Sequence, residues 1–494
     1  MSEAISFTEM PIDIWTPGIY MEIDPSLALN GLPVFKQRTV MWGQLGTGAE
    51  ASVNQIYHVI GNEAKTLFGA DAMLTDMVKA FRKKNKHQEL LIIPLAENVA
   101  GNQASATVTL AGAASRGNTF LLYIGEKRYQ LGVTAAETAS SIAGRLATII
   151  NNDPSSQVTA SVVGEVLTLT CKWKGETGND LNVFTRYHSD DQDVPGITTT
   201  IVGFNGGTGN PDLTDAIDTL DDLTQYQGFV NPYTDEANMT VLRAELDERW
   251  GVLSANDGRA FCALKSGVAA LNTWALTRNS QNIVPINAGL HSRSPTWAIA
   301  ASFAADIMYS GATDPAVPFD DMELIGIYGA PLGLRTSGDE NESLLGNGVS
   351  TLKVGGDKKV RIQRAVTSYG MTASGAEDEA YKSLNTVMQM SYYRRSVINY
   401  FQTKFPGHKL QKEGGKRRSR AARIMSPEAA IRHFLIHYDL MYDDAGIMDD
   451  FEGYKADILS NKNTQKRGRL DVFDQPRPMD QLHQLAVRSA FRLI

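Results

Sequence analysis

The chain has 494 residues, enough for about three domains at the usual ~100–200 residues per domain. With 43% hydrophobic and 21% charged residues, its composition is typical of a folded globular protein and excludes a disordered, collagenous or disulfide-stapled chain. Lys and Arg total 47 against 55 Asp and Glu, and the resulting net charge of −8 argues against whole-chain affinity for nucleic acid or anionic lipid.

The first 33 residues are interrupted by prolines and contain one short β-like run, 18–24. Because proline cannot continue a helix and restricts the residue before it, this stretch is predicted to be an extended arm. It has neither the basic start nor the apolar stretch of a signal peptide. The longest apolar run, 90–96, is far short of the ~18 residues that cross a bilayer. We therefore expect a protein of a cytosol-like compartment.

Strand-like runs alternate with helical patterns in residues 34–97 and again in residues 210–330. Helices are predicted over 73–81, 213–226, 235–250, 268–276 and 295–309, and strands over 39–42, 90–93, 228–230, 261–264 and 283–286. Such alternation is typical of a mostly parallel sheet with helices on its faces. The simplest interpretation joins both segments into one α/β core, and a tandem of two domains is the alternative.

Residues 98–209 have a different character, with Thr- and Val-rich runs separated by glycines and one helix predicted over 135–150. This pattern predicts a β-rich domain inserted into the core, with the glycine-rich stretch 203–209 as a flexible hinge. Cys171 and Cys262, the two cysteines, lie in apolar or strand-like runs and are expected to be buried thiols.

The last third predicts a hairpin over 353–362, a long helix over 377–403, and a further helix capped by Ser426 with Pro427 at its first position. The fold class is thus α/β, or α+β overall, and multidomain. Five segments are predicted: an N-terminal arm (1–33), a first core segment (34–97), the inserted β-rich domain (98–209), a second core segment with a C-terminal subdomain (210–470) and a C-terminal arm (471–494).

Candidates for phosphate or cation binding are weak. The glycines of 43–48 follow a strand, but Ala49 and Glu50 stand where a phosphate loop needs Lys and Ser or Thr, so a structural turn is favoured. Five aspartates are expected to share one solvated face of the helix 213–226: Asp212, Asp215, Asp218, Asp221 and Asp222.

The histidines give no better site. His433 and His437 have ligand spacing but lack the glutamate of a zinc-protease motif, so a partly buried helix face is expected. No catalytic residue, cofactor or metal site is predicted, and the protein is not expected to be an enzyme.

One concentrated basic cluster follows a glycine pair, and it consists of Lys416, Arg417, Arg418, Arg420 and Arg423. An acidic protein surface and a plain solvated loop are equally favoured interpretations. Nucleic acid is less favoured because no aromatic residues are interleaved with the cations.

Several short motifs are spread along the chain: P-G-I-Y-M-E at 17–22, L-F-G at 67–69, K-G-E-T-G-N-D at 174–180, and L-L-G-N-G-V at 344–349 followed by R-I-Q-R-A-V-T-S-Y at 361–369. Together they resemble the tail sheath proteins of contractile bacteriophages, and the Mu-like branch most closely. Each motif is weak alone, but together they occur in the family's order and are spread over nearly the whole chain. Ala365 and Ser368 differ from the commonest residues of the family's motif. The last quarter of the chain matches mainly in its general residue pattern.

The resemblance implies a structural subunit that stacks in hexameric rings around a tail tube and contracts without nucleotide hydrolysis, driving the tube through the host envelope. The inserted domain would protrude outward. Implied partners are further copies of the chain, the tube, the baseplate and the tail terminator, with no nucleic acid and no small-molecule substrate. Implied locations are the host cytoplasm during assembly and then the virion tail.

In such a subunit the two arms add strands to neighbouring subunits, and the residues we assign to these strands are Ile19, Tyr20, Met21, Ile23, Val487, Phe491 and Leu493. The basic loop 416–423 is expected to contact the tube or a neighbour. The alternatives are an α/β enzyme with a β-rich accessory domain and another phage structural protein, such as a tube or capsid protein.

Overall fold

The computed structural model describes residues 35–412 and 423–492. These residues form two compact units, a larger one from 35–395 with 478–492 and a smaller one from 396–412 with 423–477.

The first segment of the larger unit contains three strands and two helices, and it runs in the order β1 (Arg38–Gln44), β2 (Tyr57–His58), α1 (Ala64–Phe68), α2 (Met73–Lys84) and β3 (Glu89–Leu95). The predicted apolar stripe of α2 is buried, and three cations occupy its last turn, where they interact favourably with the helix dipole. Six of the seven residues of β3 are buried, as expected for a strand covered on both faces.

The β-rich segment forms two antiparallel sheets around one helix. Its elements are β4 (Gln103–Gly112), β5 (Asn118–Ile124), β6 (Lys127–Val133), α3 (Ala139–Asn151), β7 (Val158–Val163), β8 (Val166–Lys174), β9 (Val183–Phe184) and β10 (Ile197–Asn205). The strand orders are β10-β4-β8-β7 and β6-β5-β9. The helix begins later than predicted because Thr138 caps it, accepting a hydrogen bond from the backbone N–H of Ser141.

The second segment restores the alternation of strands and helices. It contains α4 (Thr214–Ile217), β11 (Gly228–Val230), α5 (Glu236–Trp250), β12 (Arg259–Leu264), α6 (Val268–Arg278), β13 (Ile283–Asn287), α7 (Thr296–Thr313), α8 (Gly338–Gly346), β14 (Thr351–Val354), β15 (Val360–Arg364) and α9 (Leu384–Lys404). As predicted, β14 and β15 form an antiparallel hairpin.

One six-stranded sheet takes strands from both segments, in the order β13-β12-β11-β1-β3-β2. Thr39 in β1 pairs in parallel with Gly228 on one side and Leu90 on the other. β2 pairs antiparallel with β3, and the other pairs are parallel. The tandem alternative is therefore wrong, since residues from either side of the β-rich segment share this sheet. The boundaries of the five predicted segments stay a prediction.

The predicted helix over 213–226 is wrong, since α4 ends at Ile217. The Oδ1 of Asp212 accepts the N–H of Thr214 at 2.9 Å, and the Oδ1 of Asp221 accepts the N–H of Leu223 at 3.0 Å. Such local side-chain bonds compete with helical hydrogen bonds. The five aspartates therefore do not share a helix face.

The predicted hinge and the start of the long helix also need correction. Residues 203–205 belong to β10, and Asn179 accepts a hydrogen bond from the N–H of Gly207 at 2.9 Å. Residues 203–207 are therefore held by hydrogen bonds and do not form a flexible linker. α9 begins at Leu384 and not at 377, because residues 369–382 are held in turns, where Tyr369 donates its hydroxyl hydrogen to Asp378.

The smaller unit contains the last residues of α9, then β16 (Lys409–Leu410), β17 (Ile424–Met425), α10 (Pro427–Asp439), α11 (Phe451–Asp457), β18 (Leu459–Lys462) and β19 (Leu470–Phe473). Ser426 caps α10 as predicted, accepting the N–H of Ala429 at 3.2 Å. β18 and β19 pair antiparallel, so residues 471–473 of the predicted arm belong to a hairpin.

Candidate assembly surfaces

The C-terminal residues of the larger unit are attached to it at two points. Gln389 donates its amide N–H to the carbonyl oxygen of Met479 at 3.1 Å, and the Nδ1 of His483 lies 2.6 Å from the Oδ2 of Asp320. Residues 484–492 form neither helix nor strand and have no hydrogen bond to any other residue that the structure describes. We call them the C-terminal arm.

This arm exposes its apolar side chains to an unusual degree. Leu485 is 79% exposed, Val487 73% and Phe491 87%. They stand at odd-numbered positions with Ser489, while the even-numbered positions carry Gln484, two Ala and two Arg. In a β conformation the odd positions would form one apolar face. Strand formation by Val487 and Phe491 stays a prediction, because these residues are not in a strand in the isolated chain.

In the smaller unit, no other strand of the described residues pairs with the outer edge of β19, a feature that the sequence does not reveal. Leu459 and Phe473 lie directly opposite each other, and each is 58% exposed. The N–H of Asn463 bonds to the carbonyl oxygen of Arg469, and hydrogen-bonded pairs alternate along such a ladder. Leu470 and Val472 in β19 therefore direct their backbone groups away from β18.

The chain that leaves this hairpin is fixed as far as Arg477. The hydroxyl of Tyr438 donates to the carbonyl oxygen of Asp449 at 2.7 Å and accepts the N–H of Arg477 at 3.1 Å. The Arg477 guanidinium pairs with Asp450 and, at 2.8 Å, with Asp457. The ring of Tyr438 also stacks on the ring of Tyr454, with 3.7 Å between the ring centroids.

In the sequence, the basic cluster follows β16 and ends just before β17, and these two short strands pair with each other. The N–H of Lys409 donates to the carbonyl oxygen of Arg423, and the N–H of Gln411 to that of Met425, each at 2.8 Å. Arg423 is exposed. The other predicted loop residues, Lys416, Arg417, Arg418 and Arg420, lie outside the described residues, as do the predicted arm residues Ile19, Tyr20, Met21, Ile23 and Leu493.

Comparison with known proteins decides the family. The family model described as the phage tail sheath protein central domain matches residues 206–368, and the phage tail sheath C-terminal domain matches residues 376–492. The Mu-like prophage FluMu tail sheath protein of Haemophilus influenzae is 32% identical over 479 residues, which are 97% of each chain. The chain belongs to the phage tail sheath family.

A sheath protein of this Mu-like kind is a structural subunit of a contractile tail, a virion component that assembles with copies of itself. Solved structures with similarity to it include the sheath tail protein of Listeria innocua, 13% identical, which covers 91% of this chain and 97% of its own with a TM-score of 0.46. The contracted helical sheath of the anti-feeding prophage is 11% identical and covers 97% of this chain and 98% of its own, with a TM-score of 0.43.

The glycine-containing turn after β1 of this sheath protein is structural, as predicted. The Oδ1 of Asp71 accepts the N–H of Thr47 at 2.9 Å, where a bound phosphate would be the acceptor. A Cβ at Gly46 would lie 2.3 Å from the same oxygen. Asp71 is also paired with Lys172, so this carboxylate closes the turn to another anion.

His437 and the two cysteines of the sheath protein are packing residues. His437 is buried with its ring 4.6 Å from that of Tyr400, and burial lowers its pKa to about 4. Burial raises the pKa of both Cys171 and Cys262 to about 12. Within residues 35–412 and 423–492, no group of three or more His, Cys, Asp or Glu could hold a metal ion. In the same ranges, every helix is too short or too polar to cross a membrane.

An exposed apolar pair that sequence reasoning missed lies in the loop after α5. Val252 is 91% exposed and Leu253 101%. The sequence does contain a signal for this exposed pair. Two large apolar residues stand together between Gly251 and residues 254–258, and neither helical nor strand periodicity explains them.

Proposed function

We propose that copies of this chain polymerise around an inner tail tube, and that contraction of the resulting sheath drives the tube through the host envelope to deliver the genome. The observation that carries this proposal is the C-terminal arm, which exposes apolar side chains and unpaired backbone groups. Large exposed apolar surfaces in a folded protein are typical of interaction sites. The arm is the kind of segment that completes its hydrogen bonding in a neighbouring chain.

The reach of the arm supports a connection between subunits. Its nine described residues extend to about 30 Å in a β conformation, at ~3.3 Å per residue. An acceptor is present on every copy, because the outer edge of β19 presents the backbone groups of Leu470 and Val472 beside the exposed Phe473. We assign this edge as the place where a neighbour's arm adds a strand. The N-terminal arm, residues 1–33, is proposed to form a second connection of the same kind.

The role we propose is mechanical and not catalytic. Contraction would release energy stored in the extended lattice, without nucleotide hydrolysis. The turn at 43–48 supports this interpretation, since Asp71 occupies the acceptor position that a nucleotide phosphate would need. The proposed partners are further copies of the chain, the tail tube, the baseplate and the tail terminator, with neither nucleic acid nor a small-molecule substrate, and assembly in the host cytoplasm.

Removal of the arm tests the proposal. The full chain is expected to form long hollow sheaths in negative-stain microscopy, and a chain ending at His483 is expected to stay monomeric with an unchanged thermal midpoint. This cut leaves the attachment of Met479 and His483 intact. The matched control keeps the length and replaces residues 484–492 by Gly and Ser, and it should also fail to assemble. Sheaths of normal length from either variant would refute the assignment of the arm.

The same micrographs test the alternative structural roles. Narrow smooth tubes would indicate a tube protein, and closed shells a capsid protein. Either result with the full chain would overturn the proposed function as a whole.

A further inference from the structure

Two loops of the larger unit form an exposed apolar tip, which we define as residues 218–224 and 251–256. Three of its side chains are almost completely exposed: Leu223 at 89%, Val252 at 91% and Leu253 at 101%. Single exposed apolar residues are common on protein surfaces, but three large ones on two adjoining loops indicate a surface that is covered in the assembled state.

The tip is held in one arrangement by hydrogen bonds between its loops. Asn256 donates its side-chain amide N–H to the carbonyl oxygen of Asp222 at 2.7 Å. It also donates its backbone N–H to the carbonyl oxygen of Arg249 at 3.0 Å. Arg249 is buried over the ring of Tyr226 and donates to the carbonyl oxygen of Thr224 at 3.1 Å. A surface already fixed in this way loses little conformational entropy on binding.

Around these apolar side chains the charge is negative. Residues 212–224 contain five aspartates and neither Lys nor Arg. Asp218, Asp222 and Glu248 are exposed at the tip or beside it. Arg249, whose side chain is only 4% exposed, is paired with Glu245 at 2.5 Å and lies 4.0 Å from Asp222, so this one cation leaves the rim negative overall. A partner that covers the tip must therefore combine apolar contact with positive charge.

We propose that the tip binds the basic segment 413–423 of a neighbouring copy. That segment carries five cations within eight residues, at Lys416, Arg417, Arg418, Arg420 and Arg423. The long aliphatic parts of Arg side chains cover apolar surface while their guanidinium groups reach carboxylates. The charges of the segment thus complement the rim, and its side-chain stems match the apolar centre.

Stoichiometry and geometry favour this occupant. A homopolymer presents one basic segment for every tip. The backbone bonds between Lys409 and Arg423 and between Gln411 and Met425 hold the described residues on either side of the segment next to each other. The inference rests on the proposed function, because it requires copies of the chain to be neighbours in a sheath.

Carbodiimide cross-linking of assembled wild-type sheaths tests the contact directly. This reagent joins a lysine amine to a carboxylate without a spacer, so we expect Lys416 to be linked to Asp218, Asp222 or Glu248. Sheaths assembled from mixed light and heavy isotope-labelled chains should give mixed-label cross-linked peptides, since the two residues belong to different copies. Cross-links of Lys416 exclusively to other carboxylates of the sheath or of the tube would overturn the proposal.

Charge exchange tests whether the contact stabilises the lattice. Asp218→Lys/Asp222→Lys/Glu248→Lys and, separately, Arg417→Glu/Arg418→Glu/Arg420→Glu should each raise the protein concentration needed for assembly by at least ~10-fold, because attraction becomes repulsion. The combined variant, in which opposite charges again face each other, should recover most of this loss. Failure of the combined variant to recover would exclude the pairing and would indicate that the two surfaces meet different partners.

Two further variants complete the experiment. Leu223→Ser/Val252→Ser/Leu253→Ser should impair assembly while leaving the thermal midpoint of the monomer unchanged, since these side chains are exposed. The matched control, Glu165→Lys/Asp190→Lys, reverses two exposed acids elsewhere on the larger unit and should assemble normally. Normal assembly of the apolar tip variant would overturn the inference, whereas failure of the wild-type chain to form sheaths would overturn the proposed function instead.

Discussion

The ammonium nitrogen of Lys172 lies 2.7 Å from the Oδ2 of Asp71, and this ion pair joins the β-rich segment to the first core segment. Asp71 is 2% exposed, and its other oxygen accepts the N–H of Thr47. Burial by itself would raise the pKa of Asp71, but the bonds from Lys172 and Thr47 outweigh it and hold the pKa below its usual range. The carboxylate is therefore charged in the folded protein at neutral pH.

Removing this carboxylate should destabilise the fold. We expect Asp71→Ala to lower the free energy of unfolding by about 2–4 kcal/mol, because it leaves the partly buried Lys172 ammonium and the Thr47 N–H without their acceptor. Asp71→Asn keeps an acceptor for Thr47 and should cost less. Because the folded pKa is depressed, the stabilisation is present above pH ~4 and is lost as the pH falls below it. Urea unfolding at pH 7 and pH 3 measures the loss of stability and its dependence on pH. An equal loss of unfolding free energy for Asp71→Ala at the two pH values would contradict the predicted pH dependence.

The close approach at Gly46 gives a second prediction. A Cβ there would lie 2.3 Å from the Asp71 Oδ1 and 2.7 Å from the backbone nitrogen of Ala72, which cannot move away as a flexible side chain would. Gly46→Ala should therefore cost about 1–3 kcal/mol of stability, as overpacking does in cores. The control is Gly61→Ala, where a Cβ meets nothing within 4 Å. Thermal unfolding should show a lowered midpoint for Gly46→Ala and almost no change in the midpoint for Gly61→Ala.

A third prediction concerns Asp306, which is completely buried in α7. Lys84 lies 3.4 Å from its carboxylate, but burial dominates and raises the pKa of Asp306 to about 7. The neutral acid is thus favoured in the fold, and the stability that depends on it is present below pH ~4 and lost as the pH rises through 7. Asp306→Asn should be more stable than the wild type at pH 8 by about 1–3 kcal/mol, with a smaller difference at pH 5. A gain that does not depend on pH would contradict the assignment.

Much of the larger unit could be predicted because its periodicity directly reflects burial. The spacing of Met73, Met77 and Phe81 gives α2, and the continuous apolar run from Leu90 gives β3. The helix predicted over 213–226 was wrong. The apolar residues there keep helical spacing, but Asp212 and Asp221 accept hydrogen bonds from the local backbone instead. Period alone cannot show which of these two effects is stronger.

The candidate assembly surfaces were predictable in part. The sequence indicated an apolar tail capable of forming a strand, and Val487 and Phe491 in this tail are exposed, while their role in a strand between subunits stays a prediction. The pairing of β16 with β17 could not, because strands of two residues are too short for any period, and their partners are separated by the basic segment itself. The apolar tip depends on the contact of two loops that are distant in sequence.

The alternation in the C-terminal arm gives the last prediction. If the arm adds a strand to a neighbour, Val487 and Phe491 face the same side of that strand, because successive side chains alternate. Val487→Asp/Phe491→Asp should therefore abolish sheath formation, whereas Ala486→Asp/Ala490→Asp, the matched pair on the opposite face, should weaken it much less. Both double variants should keep the thermal midpoint of the monomer, since the four positions are exposed. Sedimentation of polymer from monomer measures the difference, and equal loss in both variants would show that the arm does not bind as a strand with one buried face.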